Sequence, residues 1–273
     1  MRGNVPSSPV GKGFDVSGRV VWVTGSSRGI GRGVAEHLAR EGARVVVHAR
    51  TLDALGDVTA ALEELGAEVL GVTGDVRVDA DLAAATAAIA GRFGRLDGVV
   101  ANVGGAAPGN LADLEVDRFR RQLDLNLTSA FATVRAAYPM LREARGAAVL
   151  VSATATTSAT PLFGAYGAAK AGVEHLTRSL AAEWGPEVRV NCVSPGLIRT
   201  EGSMQAVFRG SEELAEKAGR TTAVGRVGET SDIAYACQYL LSDAAAYVSG
   251  AVLVVDGGPT EGPTQRILRA IDA

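Results

Sequence analysis

The stretch VVWVTGSSRGIG, residues 20–31, decides how this chain is read. A β-branched apolar run ends in small hydroxyl residues and glycines, and a helical pattern opens directly after it. The glycines permit a tight turn and a close backbone approach. The free N–H groups and dipole of the following helix then favour an anion such as a pyrophosphate. A glycine-rich turn can equally be plain structure. Strand before, helix after and the same alternation along the rest of the chain make it a dinucleotide site.

Short apolar, β-branched runs recur at 20–25, 43–49, 67–74, 96–104, 147–153, 188–196 and 251–258. Helical patterns fall between them at 30–41, 52–65, 79–92, 115–142, 163–184 and 229–241. Near-continuous apolar strands are those of a parallel sheet covered on both faces. The expected fold is therefore α/β: a single-domain, doubly wound parallel sheet of about seven strands with right-handed crossovers. The domain is expected over 16–258, with a flexible N-terminal tail at 1–15 and a C-terminal tail at 259–273. Residues 197–228 separate two strands by far more than an ordinary connection, which predicts small helices and a substrate lid.

The composition excludes several other classes. A formal net charge of −3 gives no basic face for nucleic acid. No apolar run reaches the roughly 18 residues that cross a bilayer, and the first residues lack the apolar core of a secretion signal. Two cysteines, Cys192 and Cys237, are too few for a disulfide framework and suit a reducing, cytoplasmic setting. His37, His48 and His175 show no metal-ligand spacing with each other or with the cysteines, so no metal is expected.

The spacing T-G-x-x-x-G-x-G at 24–31, together with Tyr166 and Lys170 as Tyr-x-x-x-Lys, resembles the short-chain dehydrogenase/reductase family. The likeness extends to Asp75-Val76, to Asn126 within LDLNLTS, to PGLIRT at 195–200 and to VDGG at 255–258. The segment from KAGVEHLTRSLAAEWG to VRVNCVSPG is similar to the ketoacyl-reductase-like and dienoyl-reductase-like branches. The resemblance implies a Rossmann-type fold and an oxidoreductase with a nicotinamide cofactor. It also implies a small-molecule or acyl-carried substrate and assembly as a homodimer or homotetramer. Cofactor contacts are implied at Gly25, Ser27, Arg28, Gly29, Ile30, Gly31, Arg50, Asp75, Val76, Asn102 and Gly104. Tyr166, Lys170, Pro195, Gly196, Ile198 and Thr200 complete the implied set.

Charge after the second strand bears on NAD against NADP. An NAD enzyme places a carboxylate there for the ribose 2′-OH. Here Ala49 occupies that position, Arg50 follows, and Arg28 lies inside the glycine loop. Two guanidiniums suit a 2′-phosphate, and NADP(H) is expected. The plainer alternative is a pair of solvated surface arginines.

The Tyr166–Lys170 spacing puts both side chains on one helical face. A free tyrosine titrates near 10, and an ammonium about 4 Å away would lower it by roughly 3 pH units. Tyr166 is then expected as proton donor, with Lys170 tuning it. By resemblance, Lys170 also holds the nicotinamide ribose, and Asn126, in the preceding long helix, orders a water on the proton path.

The family's remaining group is a serine thirteen residues before the tyrosine. That position is Ala153, with Pro161 fixing the register. Ser152 should face the opposite side of the sheet, while Thr154 can turn inward where the strand ends. The family's Asn-Asn-Ala-Gly appears as Ala101, Asn102, Val103 and Gly104. Two readings follow: an NADPH-dependent reductase of a carbonyl, or less readily of an enoyl group, and a non-redox or weakly active protein that binds NADP(H).

Overall fold

Along β1 (Val20–Val23) successive side chains face opposite sides of the sheet, as strand geometry requires. Val21 and Val23 enter one core, and Val20 and Trp22 the other. The same division holds along β5 (Ala147–Val151), where Val149 and Val151 face one way and Ala148 and Leu150 the other. Both faces are therefore covered. The computed structural model describes residues 12–157 and 159–258.

The remaining strands are β2 (Arg44–Ala49), β3 (Val69–Thr73), β4 (Gly98–Ala101), β6 (Arg189–Pro195) and β7 (Val252–Val255). All seven are parallel, in the order β3-β2-β1-β4-β5-β6-β7. The chain order reverses between β1 and β4, which opens a crevice at their carboxyl ends where such sheets bind ligands. On one face lie α1 (Gly29–Arg40), α2 (Asp53–Glu64) and α9 (Thr230–Leu241), through Leu38, Leu62 and Ile233 among others. On the other lie α3 (Asp79–Phe93), α5 (Ser129–Ala144) and α6 (Gly164–Trp184), through Ile89, Leu141 and Val173. Each such fully buried aliphatic side chain contributes about 1.5–3 kcal/mol.

Three expectations are corrected. The helix expected over 115–142 is two helices, α4 (Val116–Leu123) and α5, joined by a π-helical turn at Asp124–Thr128. The wide turn carries Asn126, whose side chain bonds outside the helix to Gly105 as well as to the Gln122 carbonyl. Such turns often mark functional positions. Secondly, residues 12–15 of the expected tail are seated on the domain. Lys12–Phe14 form a 3-10 turn, and Gln238 donates to the Phe14 carbonyl at 3.0 Å. The rest of the expected tails, 1–11 and 259–273, lies outside the described residues. Thirdly, the strands stop short of the glycines that end several of the sequence runs, because those residues form the turns of the site.

The segment 197–228 contains α7 (Glu201–Ala206) and α8 (Glu212–Gly219) around a small core of Phe208, Ala215 and Val227. Its ends meet where Ile198 bridges Gly228, and Arg199 pairs with Glu212 and Glu229. Among the described residues no helix is long and apolar enough to cross a membrane.

Candidate active site

The glycine loop is strapped between two neighbouring strands. Ser26 N–H donates to the His48 carbonyl at 3.0 Å, and Ser26 Oγ accepts from His48 N–H at 2.7 Å. On the other side Thr24 N–H donates to the Val100 carbonyl, and Asn102 donates its side-chain amide to the carbonyls of Thr24 and Gly25. Gly25 and Gly29 adopt φ of +63° and +58°, where a side chain would be strained. Gly31 is a packing requirement, since a Cβ there would lie 2.4 Å from the Gly25 carbonyl oxygen and 2.5 Å from Asn102 Nδ2.

The N-terminus of α1 is left open to an anion. Its cap residue, Arg28, makes no side-chain capping bond, and the first turn carries no acid. The orphan N–H groups and helix dipole therefore stand unmet among the described residues. Ser27 and Ile30 flank this turn, half-buried, and Thr200 borders it across the crevice, 3.7 Å from where a Gly29 Cβ would stand. Arg28 and Arg50 are exposed, and neither makes an ion pair among the described residues. Arg50 feels the field of Asp75, but that carboxylate is occupied by Arg77, at 2.9 Å to Nε. The Arg77 hydrogen bond, aided by the field of Arg50, holds Asp75 down at about 2. Val76 is buried beneath it.

Farther along the crevice, α6 presents Tyr166 and Lys170 on one face. Lys170 is only 3 % exposed, and its Nζ donates to the Val151 carbonyl at 2.8 Å. Burial pushes this ammonium down to about 8. Nζ lies over the Tyr166 ring, 5.8 Å from its centroid. The expected lowering of the tyrosine is not found in the unliganded chain: desolvation instead pushes Tyr166 up to about 12. The phenol is thus held neutral, as a donor with its proton in place.

Gly104 joins these groups. A Cβ there would lie 2.7 Å from Asn126 Oδ1 and 3.1 Å from Lys170 Nζ, so only glycine lets β4's loop pass between them. Asn126 is fully buried and holds Gly105 from both sides, accepting from its N–H at 2.9 Å and donating to its carbonyl at 3.0 Å. The residues that follow β6 close the crevice. Pro195 ends the strand, Gly196 N–H donates to the Val255 carbonyl at 2.9 Å, and Ile198 is buried.

The hydroxyls after β5 divide sharply. Ser152 faces α6, as strand alternation requires, and donates its one hydroxyl proton to Glu174 Oε1 at 3.0 Å, with the Lys170 carbonyl 3.1 Å from the same oxygen. Thr156 donates to Glu174 at 2.7 Å and Thr157 to the Thr154 carbonyl at 2.9 Å. Ser152 is therefore not a replacement for the missing serine hydroxyl. Thr154, which opens a 3-10 turn at Thr154–Thr156, spends no hydroxyl proton among the described residues. Ser158 lies outside them. Sequence reasoning missed Glu174; its one available signal was a third helical step after Tyr166 and Lys170.

Comparison with known proteins bears on the family and the fold. A family profile described as enoyl-(acyl carrier protein) reductase matches residues 25–260. The peroxisomal 2,4-dienoyl-CoA reductase of Arabidopsis thaliana is 34% identical over 254 residues, covering 89% of this chain and 85% of that protein. A short-chain type dehydrogenase/reductase from Mycobacterium marinum superposes with a TM-score of 0.84 at 32% identity, covering 92% of this chain and 99% of that one. A 7α-hydroxysteroid dehydrogenase, solved with NADH and 7-oxo glycochenodeoxycholic acid, superposes with a TM-score of 0.85 at 29% identity, covering 92% and 98%. The chain belongs to the short-chain dehydrogenase/reductase family, and it is an oxidoreductase of that type.

Proposed function

We propose that the chain is an NADPH-dependent reductase of a carbonyl group in a small or acyl-carried substrate. The observation that carries this reading is the convergence of Lys170 and Asn126 on Gly104, with the Tyr166 ring 5.8 Å from Lys170 Nζ, in the same crevice as an uncapped helix N-terminus. The residues fit a dinucleotide. The α1 N–H groups and the turns at Gly25, Ser27, Gly29, Ile30 and Gly31 would hold its pyrophosphate. Asp75, Val76, Asn102 and Gly104 would line its adenosine and ribose, and Pro195, Gly196, Ile198 and Thr200 the nicotinamide end. Bound there, the nicotinamide would supply the hydride. Arg28 and Arg50, without ion pairs among the described residues, favour the 2′-phosphate of NADP(H).

The chain's own part is proton delivery. Tyr166 holds its proton at neutral pH and would donate it to the oxygen that gains charge. Lys170 uses one of three N–H donors on Val151, leaving two for a ribose hydroxyl and the tyrosine. A positive charge beside the phenol eases loss of its proton at the moment of transfer. Ala153 leaves the substrate oxygen without the family's serine donor, and Thr154 is a neighbouring hydroxyl that spends no proton among the described residues. An enoyl group would not need that donor in the same place, and reduction of one is the secondary reading.

The expected assembly is a homodimer or homotetramer. Of the small residues on α6, Ala169 is buried in its own chain, whereas Ala168, Ala171 and Ala182 are exposed and free for a neighbouring helix. The test of function is NADPH absorbance against a panel of ketones and enoyl thioesters, with NADH in parallel. Turnover of a ketone with NADPH supports the reading, and turnover of enoyl substrates alone overturns it.

A further inference from the structure

Tyr166, Lys170 and Glu174 follow one another at four-residue steps and so share one face of α6. Glu174 Oε1 accepts from three hydroxyls: Thr156 at 2.7 Å, Ser152 at 3.0 Å and Ser194 at 3.3 Å. Two donors bracket Ala153 and Thr154, and the third comes from β6. Ser152 Oγ also lies 3.1 Å from the Lys170 carbonyl, which ties the cluster to the turn of helix that carries the ammonium.

Besides these side-chain bonds, Ser152 N–H donates to the Val193 carbonyl at 2.8 Å and the Thr157 hydroxyl to the Thr154 carbonyl at 2.9 Å. The bracketed 3-10 turn rests on Thr156 N–H to the Ala153 carbonyl at 3.2 Å and Thr157 N–H to the Thr154 carbonyl at 3.0 Å. A single turn of this kind is a weak element, whereas hydrogen bonds to a carboxylate are strong ones. A misplacement of about 1 Å in such a segment can cost roughly 10²-fold in rate.

We propose that Glu174 is a positioning residue, which clamps residues 152–156 against α6 and so fixes where Ala153 and Thr154 stand relative to Tyr166. Its catalytic consequence rests on the reductase reading above; its structural consequence does not. Glutamine at 174 keeps an oxygen acceptor for the hydroxyls, while alanine removes it.

The test is amide hydrogen exchange and steady-state kinetics on E174A and E174Q. In E174A the amides of Thr156 and Thr157 should exchange roughly tenfold faster, while those of Val173 and Thr177 within α6 stay as they were. KM for a ketone should rise and kcat fall, with the NADPH dissociation constant, read by cofactor fluorescence, within about twofold of the native value. E174Q should recover most of both readouts. Unchanged exchange at Thr156 and Thr157 overturns the proposal, as does a cofactor dissociation constant that moves in step with KM. If the native protein turns over no ketone, the reductase reading fails while exchange still decides the role of Glu174. If E174A does not fold, S194A removes one donor from a different strand. It should accelerate Thr156 exchange by a smaller factor, and no acceleration would count against the clamp.

Discussion

The buried ammonium of Lys170 makes stability depend on pH in an unusual direction. Desolvation lowers it from 10.5 to about 8 in the folded, unliganded chain. Between those values the unfolded chain binds more protons than the folded one, so stability rises with pH. The cost of burying the charge is fully present below about 8 and relieved on approaching 10.5. Integrated from about pH 7.5 to about pH 9.5, the gain is about 2 kcal/mol. For a chain of this size that corresponds to a rise in Tm of roughly 4–8 °C. The chain has only two other lysines, Lys12 and Lys217, so few amines confuse the window. Burial raises Cys192 and Cys237 from 9.0 to about 12, and they act in the opposite sense above about 9. Cys237 does so equally in Lys170→Met, while Cys192 loses the lowering field of Lys170 there, so the difference between the two proteins reads the lysine together with its coupling to Cys192. Urea unfolding across this range is the assay. Superimposable pH profiles for native protein and Lys170→Met would refute the burial argument. NADPH affinity should fall over the same range, because the neutral amine no longer attracts the ribose hydroxyls.

Other perturbations test separate parts of the site. Arg50→Ala should weaken NADPH binding roughly 10- to 150-fold, the equivalent of one charged hydrogen bond, and leave NADH nearly unaffected in a fluorescence titration. Ala153→Ser places a hydroxyl on backbone that is already extended, φ −166° and ψ 149°, and should raise single-turnover ketone reduction by at most 10²–10³. The gain should be largest in a Thr154→Val background, which removes the Thr154 hydroxyl as a competitor. Gly104→Ala pushes a methyl against Asn126 and Lys170 and should cost about 1–3 kcal/mol in urea unfolding, with cofactor affinity lost alongside.

The sheet was legible because its strands are short and apolar, and those between the two edge strands are buried on both faces, so the apolar runs and the punctuating glycines mark it without tertiary knowledge. Asn126 shows where that reading stops. Its segment is helical by pattern, but it forms a π turn whose Asn126 bonds to Gly105, twenty-one residues away, a partner that no local propensity records. The tyrosine's acidity was misjudged for a related reason. Helical spacing brings Lys170 to the correct face, yet its Nζ reaches the Val151 carbonyl of another element, and burial then outweighs its field. Strand alternation placed Ser152 correctly on the α6 side. It could not show that Thr156 and Ser194 converge on the same carboxylate, because that meeting depends on how β5, β6 and α6 pack together.

The central claim is that Tyr166 delivers the proton in an NADPH-linked carbonyl reduction. Tyr166→Phe keeps the packed ring and removes only the hydroxyl, which makes no hydrogen bond to the described residues that the fold would miss. Single-turnover NADPH oxidation with a ketone that the native protein reduces is the direct measurement, since it separates chemistry from product release. The expected result is a fall of about 10²–10⁴ in rate, typical of losing a general acid, with NADPH binding unchanged. A Phe variant that oxidises NADPH at the native rate would remove Tyr166 from the reaction.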